Sequence, residues 1–378
     1  GRLVPGLATD SRIARIGWGY SDPHNGGHSV LSIDFSTGQR IFYKPKDLNT
    51  DRFVGGLIAR LDDLGAPEAL VVPEAIARDG YGWTECIEMR TCHDIGEVER
   101  YYRRFGSWLA VLHSLSASDM HMENFIASAG QPTPVDFEMI LQGLRQRPKT
   151  SNEADWLASR FLEGSVQSVG MLPAYVQGID GQLISMGALE PSVYPVRTTG
   201  WEAMNTPRMM LRSSVDNVTI ESNLPVLDGK PVSIEGFRDA FLDGFREMLA
   251  FLAEHADEIV AWMDTRGVNA LTIRRVIRPT RFYYMLLKRL YDHRKMDDSV
   301  RWSLEADFSA RLFDWDENAE QPWKLLGSER RQLFQLGIPH FTMTSGDNII
   351  SDAAGPVTRL HLDLGPTLVA ERLASLRG

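Results

Sequence analysis

The first ninety residues show the spacing of apolar and polar positions that is typical of short β-strands and one helix. Two apolar runs within residues 28–44 flank the polar sequence STGQ, which predicts a β-hairpin that ends at Lys44. Residues 51–64 have helical spacing. Residues 68–90 predict two short strands around the turn sequence RDGYGW.

Helical periodicity dominates the rest of the chain. Residues 97–115 repeat apolar side chains on one wide face, which predicts an amphipathic helix. Residues 233–264 predict a second helix with Ser233 as its N-cap. Residues 271–293 predict a third, broken near Pro279 because proline cannot donate a backbone hydrogen bond.

Residues 204–232 lie between the last two predicted helices and are predicted to be irregular or β. The order of elements therefore predicts an α+β protein with two lobes. Residues 1–92 would form a small β-rich N-lobe, and residues 93–378 a larger, mainly helical C-lobe.

Composition narrows the class of protein. A chain of 378 residues with 43% apolar content can bury a large core, and its net charge of −10 argues against non-specific nucleic-acid binding. No apolar run approaches the roughly 20 residues that span a bilayer, and the start shows no secretory signal. We interpret Cys86 and Cys92 as reduced, buried thiols, which favours a cytoplasmic location.

A dense polar cluster occupies residues 118–138. Its chemically capable members are Asp119, His121, Asn124, Asp136 and Glu138. The first Asp and the Asn are five positions apart, and the second Asp follows across a predicted hairpin with a Gly-Gln-Pro turn. Protein kinases use an Asp, an Asn and a second Asp in this order to position a hydroxyl and hold Mg²⁺ against ATP. The cluster therefore predicts phosphoryl transfer from ATP.

Upstream residues supply the other parts that such a site needs. Lys44, at a strand end, is placed to reach the phosphates, and the sequence DPHNGGH at residues 22–28 places Gly26 and Gly27 where backbone amides can approach an anion. Each feature alone is weak, since turns, solvated lysines and bends look the same. Their order along the chain favours a kinase-like site.

Several motifs together resemble the dehydratase domain of class II lanthipeptide synthetases, the LanM family. In chain order they are DPHNGGHSVLSIDF, IFYKPKDL, YGWTEC, YYRRFGSWLAVLHSLSASDMHMENFIAS, PVDFE, SVQSVGMLP, MNTPRM, RRVIRPTRFYYMLL and SERRQLFQLGIPHF. The resemblance covers nearly the whole chain. It implies a lipid-kinase-like core that uses ATP and Mg²⁺ to phosphorylate Ser and Thr of a ribosomal precursor peptide. Elimination of the phosphate then leaves dehydroalanine or dehydrobutyrine.

The resemblance assigns the polar cluster to phosphoryl transfer. It implies that Asp119 is the catalytic acid/base beside the substrate hydroxyl, with His121 in the same loop. It also implies that Asn124 and Asp136 hold Mg²⁺, with Glu138 beside them.

The resemblance also implies roles outside the cluster. Lys44 would contact phosphate and take part in elimination, and Asp22 and His24 would lie near the bound phosphates. Arg274 and Thr280, six positions apart, match an Arg/Thr pair that serves elimination. A guanidinium suits this role because it can clamp phosphate oxygens.

Two groups of residues keep alternative interpretations. The arginines at positions 274, 275, 278 and 281 form either a phosphate-binding patch or a solvated helix face, and spacing to Thr280 favours Arg274 as the contact. Glu85, with Tyr81 and Trp83, would lie near the adenine, although the two aromatic residues also fit an ordinary core.

The sequence departs from the family at two positions and lacks two regions. Gly337 stands where the family usually has Asp before Ile-Pro, and Pro207 stands where it tends to have Asp. No cyclase with zinc-binding Cys and His and no extra N-terminal region is present, so we expect no thioether formation by this chain alone. A truncated chain, one part of a split enzyme with a separate cyclase, and a stand-alone relative all remain open.

Three functions follow from these observations. The first is a peptide Ser/Thr dehydratase that acts through a phosphorylated intermediate. The second is a peptide or small-molecule kinase without elimination, which Gly337 and Pro207 motivate. The third is a non-catalytic partner that binds a precursor peptide.

Overall fold

An antiparallel sheet of five strands opens the computed structural model, which describes residue 3 and residues 11–147, 152–177, 183–311 and 319–377. The elements of this part are β1 (Ile13–Gly17), β2 (Leu31–Phe35), β3 (Arg40–Lys44), α1 (Asn49–Asp63), β4 (Ala75–Arg78) and β5 (Tyr81–Glu85). The strand order is β1-β2-β3-β5-β4. The predicted hairpin is confirmed as β2–β3, and the predicted strand pair as β4–β5.

Helix α1 confirms the helix predicted for residues 51–64 and connects the sheet to the main core. Phe53, Val54, Leu57 and Leu61 are buried in the core that also contains much of the later helical part. Phe53 packs on Trp262 with a ring-centroid distance of 5.6 Å. The end of β3 and the start of α1 are therefore held against the rest of the protein.

Helix α2 (Ile95–Ser114) is the central helix of the core and confirms the amphipathic helix predicted for residues 97–115. Its N-cap Asp94 accepts a hydrogen bond from the Glu97 amide at 2.8 Å. It crosses α4 (Arg238–Glu254) closely, because a Cβ at Gly106 or Gly244 would overlap the facing backbone. The close crossing holds α2 in place, and the polar cluster follows its C-terminal end.

The middle of the chain is built from short hairpins around one helix. Its elements are β6 (Phe125–Ser128), β7 (Gln131–Pro134), β8 (Leu144–Arg145), α3 (Glu153–Gly164), β9 (Tyr175–Gln177), β10 (Leu183–Ser185), β11 (Ser192–Glu202), β12 (Met210–Ile220), β13 (Val226–Leu227) and β14 (Lys230–Pro231). The irregular or β structure expected for residues 204–232 is confirmed. The longest hairpin pairs β11 with β12.

The last third combines helices with a four-stranded sheet. Its elements are α4, α5 (Ala256–Thr265), β15 (Thr272–Arg274), α6 (Thr280–Leu290), α7 (Ser299–Ala306), α8 (Pro322–Phe334), β16 (Thr342–Thr344), β17 (Ile349–Asp352), β18 (Gly355–Arg359), β19 (Leu362–Asp363) and α9 (Gly365–Ser375). Ser233 caps only a 3-10 turn, Ile234–Phe237, before α4 begins. The predicted long helix divides again at His255, between α4 and α5.

The helix predicted for residues 271–293 is wrong in its first half. Thr272–Arg274 forms β15, which pairs antiparallel with β16 and so completes the sheet β15-β16-β17-β18. Tertiary pairing therefore overrides the helical spacing there. Helix α6 begins only at Thr280, directly after Pro279.

The protein is thus a mixed α+β fold with one large core and a smaller cluster. The smaller cluster joins α6, α7 and α8 through Tyr283, Leu286, Leu287, Leu290, Ala306, Leu333 and Ile338. Within the described ranges, we find no helix with the length and apolar character required to cross a membrane. The two cysteines are free, with Cys92 buried but Cys86 only partly so. The division into lobes at residue 92 stays a prediction.

Candidate active site

The loop after α2 holds Asp119 in an unusual backbone conformation. Asp119 has φ +63°, in the left-handed region. Its neighbours are fixed on both sides, since the Ser118 amide donates to the Met139 carbonyl at 3.0 Å and the Met120 amide to the Val169 carbonyl at 2.9 Å. The Asp119 side chain is 47% exposed. Its partial burial raises the pKa of its carboxyl. The loop therefore presents an accessible carboxyl from a rigid position.

The motif SVQSVGMLP supports this loop through Gly170. Gly170 has φ +89°, and a Cβ on it would lie 3.1 Å from the Met120 amide nitrogen. Neither the backbone conformation nor the space suits a side chain.

Gly170→Ala is therefore expected to destabilise the protein by about 1 kcal/mol or more and to displace Asp119. Gly164→Ala is a matched control, because a Cβ there meets nothing within 4 Å. Chemical unfolding and a phosphoryl-transfer assay would measure both effects. Equal free energies of unfolding and equal phosphoryl-transfer rates in the two variants would show that Gly170 does not hold the loop.

The hairpin β6–β7 joins Asn124 to Asp136. Asn124 immediately precedes β6, and its carbonyl accepts a hydrogen bond from the Val135 amide at 3.0 Å. The Asn124 side-chain NH₂ donates to the Asp119 carbonyl at 2.7 Å, which leaves its side-chain oxygen as an acceptor. The hairpin tip is Ala129–Gly130 instead of the predicted Gly-Gln-Pro, because Ser128 and Gln131 still pair across it.

Two lysines from the end of β3 reach this hairpin. Lys44 is buried, and its ammonium donates to the Val135 carbonyl at 2.5 Å. Lys46 donates to Asp136 Oδ1 at 2.7 Å, to Asp136 Oδ2 at 2.6 Å and to Glu138 Oε2 at 2.8 Å. Burial disfavours the charge on Lys46, but Asp136 and Glu138 outweigh it and raise the pKa of Lys46. Lys46 is not among the residues predicted from the sequence, although the spacing Lys-Pro-Lys places both cations beside one strand end.

Glu138 is held between two cations. Arg274 donates to Glu138 Oε1 at 2.6 Å, opposite the contact from Lys46. Burial opposes ionisation of Glu138, yet Lys46 and Arg274 together keep its pKa well below the usual range. Glu138 is therefore an anion that fixes Lys46 and Arg274 next to Asp136.

Asp51 is a second acid that the sequence analysis did not select. It lies in the first turn of α1 and is only 4% exposed. Burial, countered by the charge of Lys44, raises its pKa to about 6. Asp51 therefore supplies negative charge behind the two lysines at neutral pH and loses it in mild acid.

The glycine loop packs against the late motif GIPHF. Its backbone closes between His24 and His28, whose amides and carbonyls pair at 3.0 and 2.8 Å, while Gly26 and Gly27 have positive φ. The His24 ring nitrogen Nδ1 lies 2.9 Å from the Ile338 carbonyl. Because a carbonyl only accepts, Nδ1 carries a proton and Nε2 is left unprotonated in the neutral ring.

Two histidines meet at this contact and both favour the neutral form. The rings of His24 and His340 lie 5.2 Å apart. Burial, and next the positive charge of Arg274, lower the pKa of His24. Burial lowers the pKa of His340 to about 3, with Glu138 opposing and Arg274 assisting. His340 was also missed by the sequence analysis.

Gly337 is not required by sterics. A Cβ at this position would lie 3.8 Å from the amide nitrogens of Asn25 and Gly26, in ordinary contact. A side chain therefore fits here and would face the glycine loop. Pro207, the other departure, lies far along the chain in the exposed turn between β11 and β12.

The predicted arginine patch does not exist as one surface. Arg274 faces Glu138, whereas Arg275 is buried and donates to Gln142 and to the Gly143 carbonyl at 2.9 and 3.1 Å. Arg278 forms a buried ion pair with Glu329 at 2.8 Å, and Arg281 is exposed. The strand β15 ends at Arg274, and successive residues of an extended chain point to opposite sides, which separates Arg274 from Arg275.

Of the remaining candidates, His121 and Asp22 lie beside residues of the site, whereas Thr280 and Glu85 belong to other elements. His121 Nε2 lies 3.7 Å from Asp119 Oδ1, and exposed Asp22 is close enough to His24 to act on its pKa. Thr280 is half-buried at the start of α6, with no hydrogen bond from its side chain to the cluster among the described residues. Glu85 accepts from the Glu74 amide at 3.1 Å, which ties it to the sheet.

The aromatic pair beside Glu85 is less buried than an ordinary core requires. Tyr81 is 37% exposed, and its ring lies 5.2 Å from that of Trp83 in an edge-on arrangement. The core alternative is therefore not favoured for Tyr81.

A metal bound at this site would have few ligands from the protein. In the part of the chain that the structure describes, no group of three or more His, Cys, Asp and Glu side chains is arranged to hold a metal. Mg²⁺ nevertheless commonly takes one or two carboxylates and completes its shell with water and phosphate oxygens. The Asn124 and Asp136 oxygens are of the chemical type that Mg²⁺ prefers.

Comparison with known proteins identifies a relative and a family for this chain. The chain is 22% identical over 364 residues to the lacticin 481/lactococcin biosynthesis protein LcnDR2 of Lactococcus lactis subsp. lactis. The match covers 90% of this chain and 37% of that protein, so the chain spans well under half of its relative. Residues 2–344 match the family described as Domain of unknown function (DUF4135). The chain belongs to that family.

Proposed function

We propose that this protein phosphorylates Ser and Thr side chains of a ribosomal precursor peptide with ATP and Mg²⁺, and then eliminates the phosphate. The observation that carries the proposal is that Asp119, Asn124, Asp136 and Lys44 lie together at the open end of the hairpin β6–β7. Phosphoryl transfer is mostly positioning and charge stabilisation, and these groups supply both. A kinase-like division at residue 92 is part of the same proposal.

The residues present fit a magnesium–nucleotide pair. Asn124 and Asp136 would hold the metal, which when bound would neutralise charge on the transferring phosphate. Lys44 and the amides of the glycine loop would contact phosphate oxygens. The buried position of Lys44 keeps its ammonium beside the hairpin without solvent competition.

Asp119 would position the substrate hydroxyl and accept its proton. Its partly exposed carboxyl is open to a peptide, while the raised pKa suits proton transfer. Asn124 binds the Asp119 carbonyl and thereby couples the hydroxyl site to the metal site.

Elimination would use the side chains around Glu138. A base removes the α-proton, the Cα–Cβ double bond forms, the Cβ–O bond breaks and phosphate leaves with the electron pair. His24 offers an unprotonated Nε2 for the proton, and Arg274 offers a guanidinium for the phosphate. Both lie near Glu138, so one bound phosphopeptide would reach them.

The lacticin 481 relative supports a lanthipeptide precursor as the substrate. A separate cyclase as a partner is a further part of the proposal. A kinase without elimination is the second candidate function, because Gly337 faces the glycine loop at a position where the LanM resemblance implies an Asp.

Mass spectrometry of a Ser/Thr-containing precursor peptide, after incubation with the protein and MgATP, tests the proposal. Loss of one water per modified residue is the expected result, and a stable gain of phosphate would instead establish the kinase. If the peptide mass does not change and the peptide does not stimulate ATP turnover, the result would support the third function, a non-catalytic partner that binds the precursor. Gly337→Asp should fold normally, and faster water loss in that variant would assign the slow step to this position.

A further inference from the structure

Lys46 uses all of its hydrogen-bonding capacity within the carboxylate cluster. An ammonium has three donors, and three oxygens accept them: both of Asp136 and one of Glu138, at 2.6 to 2.8 Å. The side chain of Lys46 is only 17% exposed. This is a built contact between partly buried groups and not a surface ion pair.

The contact occupies the oxygens that a metal at Asp136 would need. A divalent cation bound to either oxygen would lie close to the ammonium, and two cations at such short range repel each other strongly where water is scarce. Lys46 and a metal therefore compete for Asp136.

Without a cation the cluster would be poorly compensated. The side chains of Asp136 and Glu138 are 25% and 14% exposed, and Asp51 adds a third acid nearby. Glu138 has a second partner in Arg274, whereas among the described residues Asp136 has only Lys46 as an ion-pair partner. Lys46 can thus leave Asp136 and remain bound to Glu138.

We propose that Lys46 is a positioning residue that exchanges with the metal. It balances the charge of Asp136 in the metal-free protein, gives up Asp136 when the metal binds, and stays on Glu138 at the edge of the phosphate site. This inference rests on the proposed function. The exchange sets the affinity for free metal low, so that the metal enters tightly only together with the nucleotide phosphates.

Titration with Mn²⁺ alone, followed by the electron paramagnetic resonance of the free ion, tests the exchange. Lys46→Met is expected to bind Mn²⁺ at least about tenfold more tightly than the unmodified protein, and Lys46→Arg is expected to bind it no more tightly. Lys295→Met is the matched control, since Lys295 pairs with Glu305 at 2.7 Å in another part of the fold. Adding Asp136→Asn to Lys46→Met should remove the tight site.

A second variant keeps the test decisive if Lys46→Met folds poorly. Lys46→Gln retains donors without charge, and thermal unfolding with and without Mn²⁺ should show a larger metal-dependent rise in Tm than in the unmodified protein. A rise no larger than that of the unmodified protein, or failure to fold even with metal, would overturn the exchange and leave Lys46 a structural residue. Equal or weaker Mn²⁺ affinity in Lys46→Met would do the same.

The mass-spectrometric assay separates failure of this inference from failure of the proposed function. If the unmodified protein modifies its peptide while Lys46→Met gains no metal affinity, only the exchange is wrong. If the protein neither binds Mn²⁺ nor modifies the peptide, the proposed function fails, and the exchange fails with it.

Discussion

Asp136→Asn is expected to reduce phosphoryl transfer by a factor on the order of 10² to 10³, because the negative charge that would hold the metal against the phosphate is lost. The shape of the side chain is kept, and Lys46 retains Glu138 as a partner, so the fold should survive. Transfer of labelled phosphate from ATP to the peptide measures the effect, and circular dichroism checks the fold.

Glu123→Gln is the control for this experiment. Glu123 is an exposed acid in the same loop, one residue before Asn124. The Glu123→Gln variant should transfer phosphate at the same rate as the unmodified protein. Full activity in Asp136→Asn would remove Asp136 from the metal site.

Arg274→Ala is expected to let phosphopeptide accumulate. The elimination step should slow by a factor on the order of 10², since the departing phosphate loses its guanidinium partner. Phosphorylation should persist, because Lys46 still compensates the buried Glu138. A time course by mass spectrometry resolves the two products.

Arg281→Ala is a suitable control because it lies in the same arginine-rich segment but is exposed. It should dehydrate the peptide normally. If Arg274→Ala also dehydrates normally, Arg274 has no part in elimination. If it fails to phosphorylate at all, its contact with Glu138 serves the first step instead.

Local patterns predicted the elements that position the site. The hairpin β2–β3, the strand pair β4–β5 and the helix α2 all follow from spacing within one element or one turn. The hairpin between Asn124 and Asp136 was predictable for the same reason, although its tip was misplaced. These features depend on neighbours in the sequence, which a single sequence displays.

Contacts between distant segments could not be predicted in the same way. Lys46 meets Asp136 across ninety positions of the chain, and His24 meets Ile338 across more than three hundred. The sequence predicts a phosphate-binding role for Lys44 and none for Lys46, and only the fold shows that Lys44 binds a carbonyl and Lys46 the carboxylates.

Position 274 shows how an incorrect secondary-structure prediction also gives incorrect side-chain contacts. As a helix, residues 271–293 would have placed four arginines on one face. As strand β15, the segment sends Arg274 to Glu138 and Arg275 to Gln142. The pairing partner of β15 lies about seventy positions later, where no local signal reveals it.

A crystal structure with Mn²⁺ and a non-hydrolysable ATP analogue tests the central claim most directly, since the anomalous signal of manganese locates the metal. We expect one metal bound by the Asn124 side-chain oxygen and Asp136, with the terminal phosphate between Lys44 and Asp119. A nucleotide bound elsewhere, or a metal that touches neither Asn124 nor Asp136, would contradict the account.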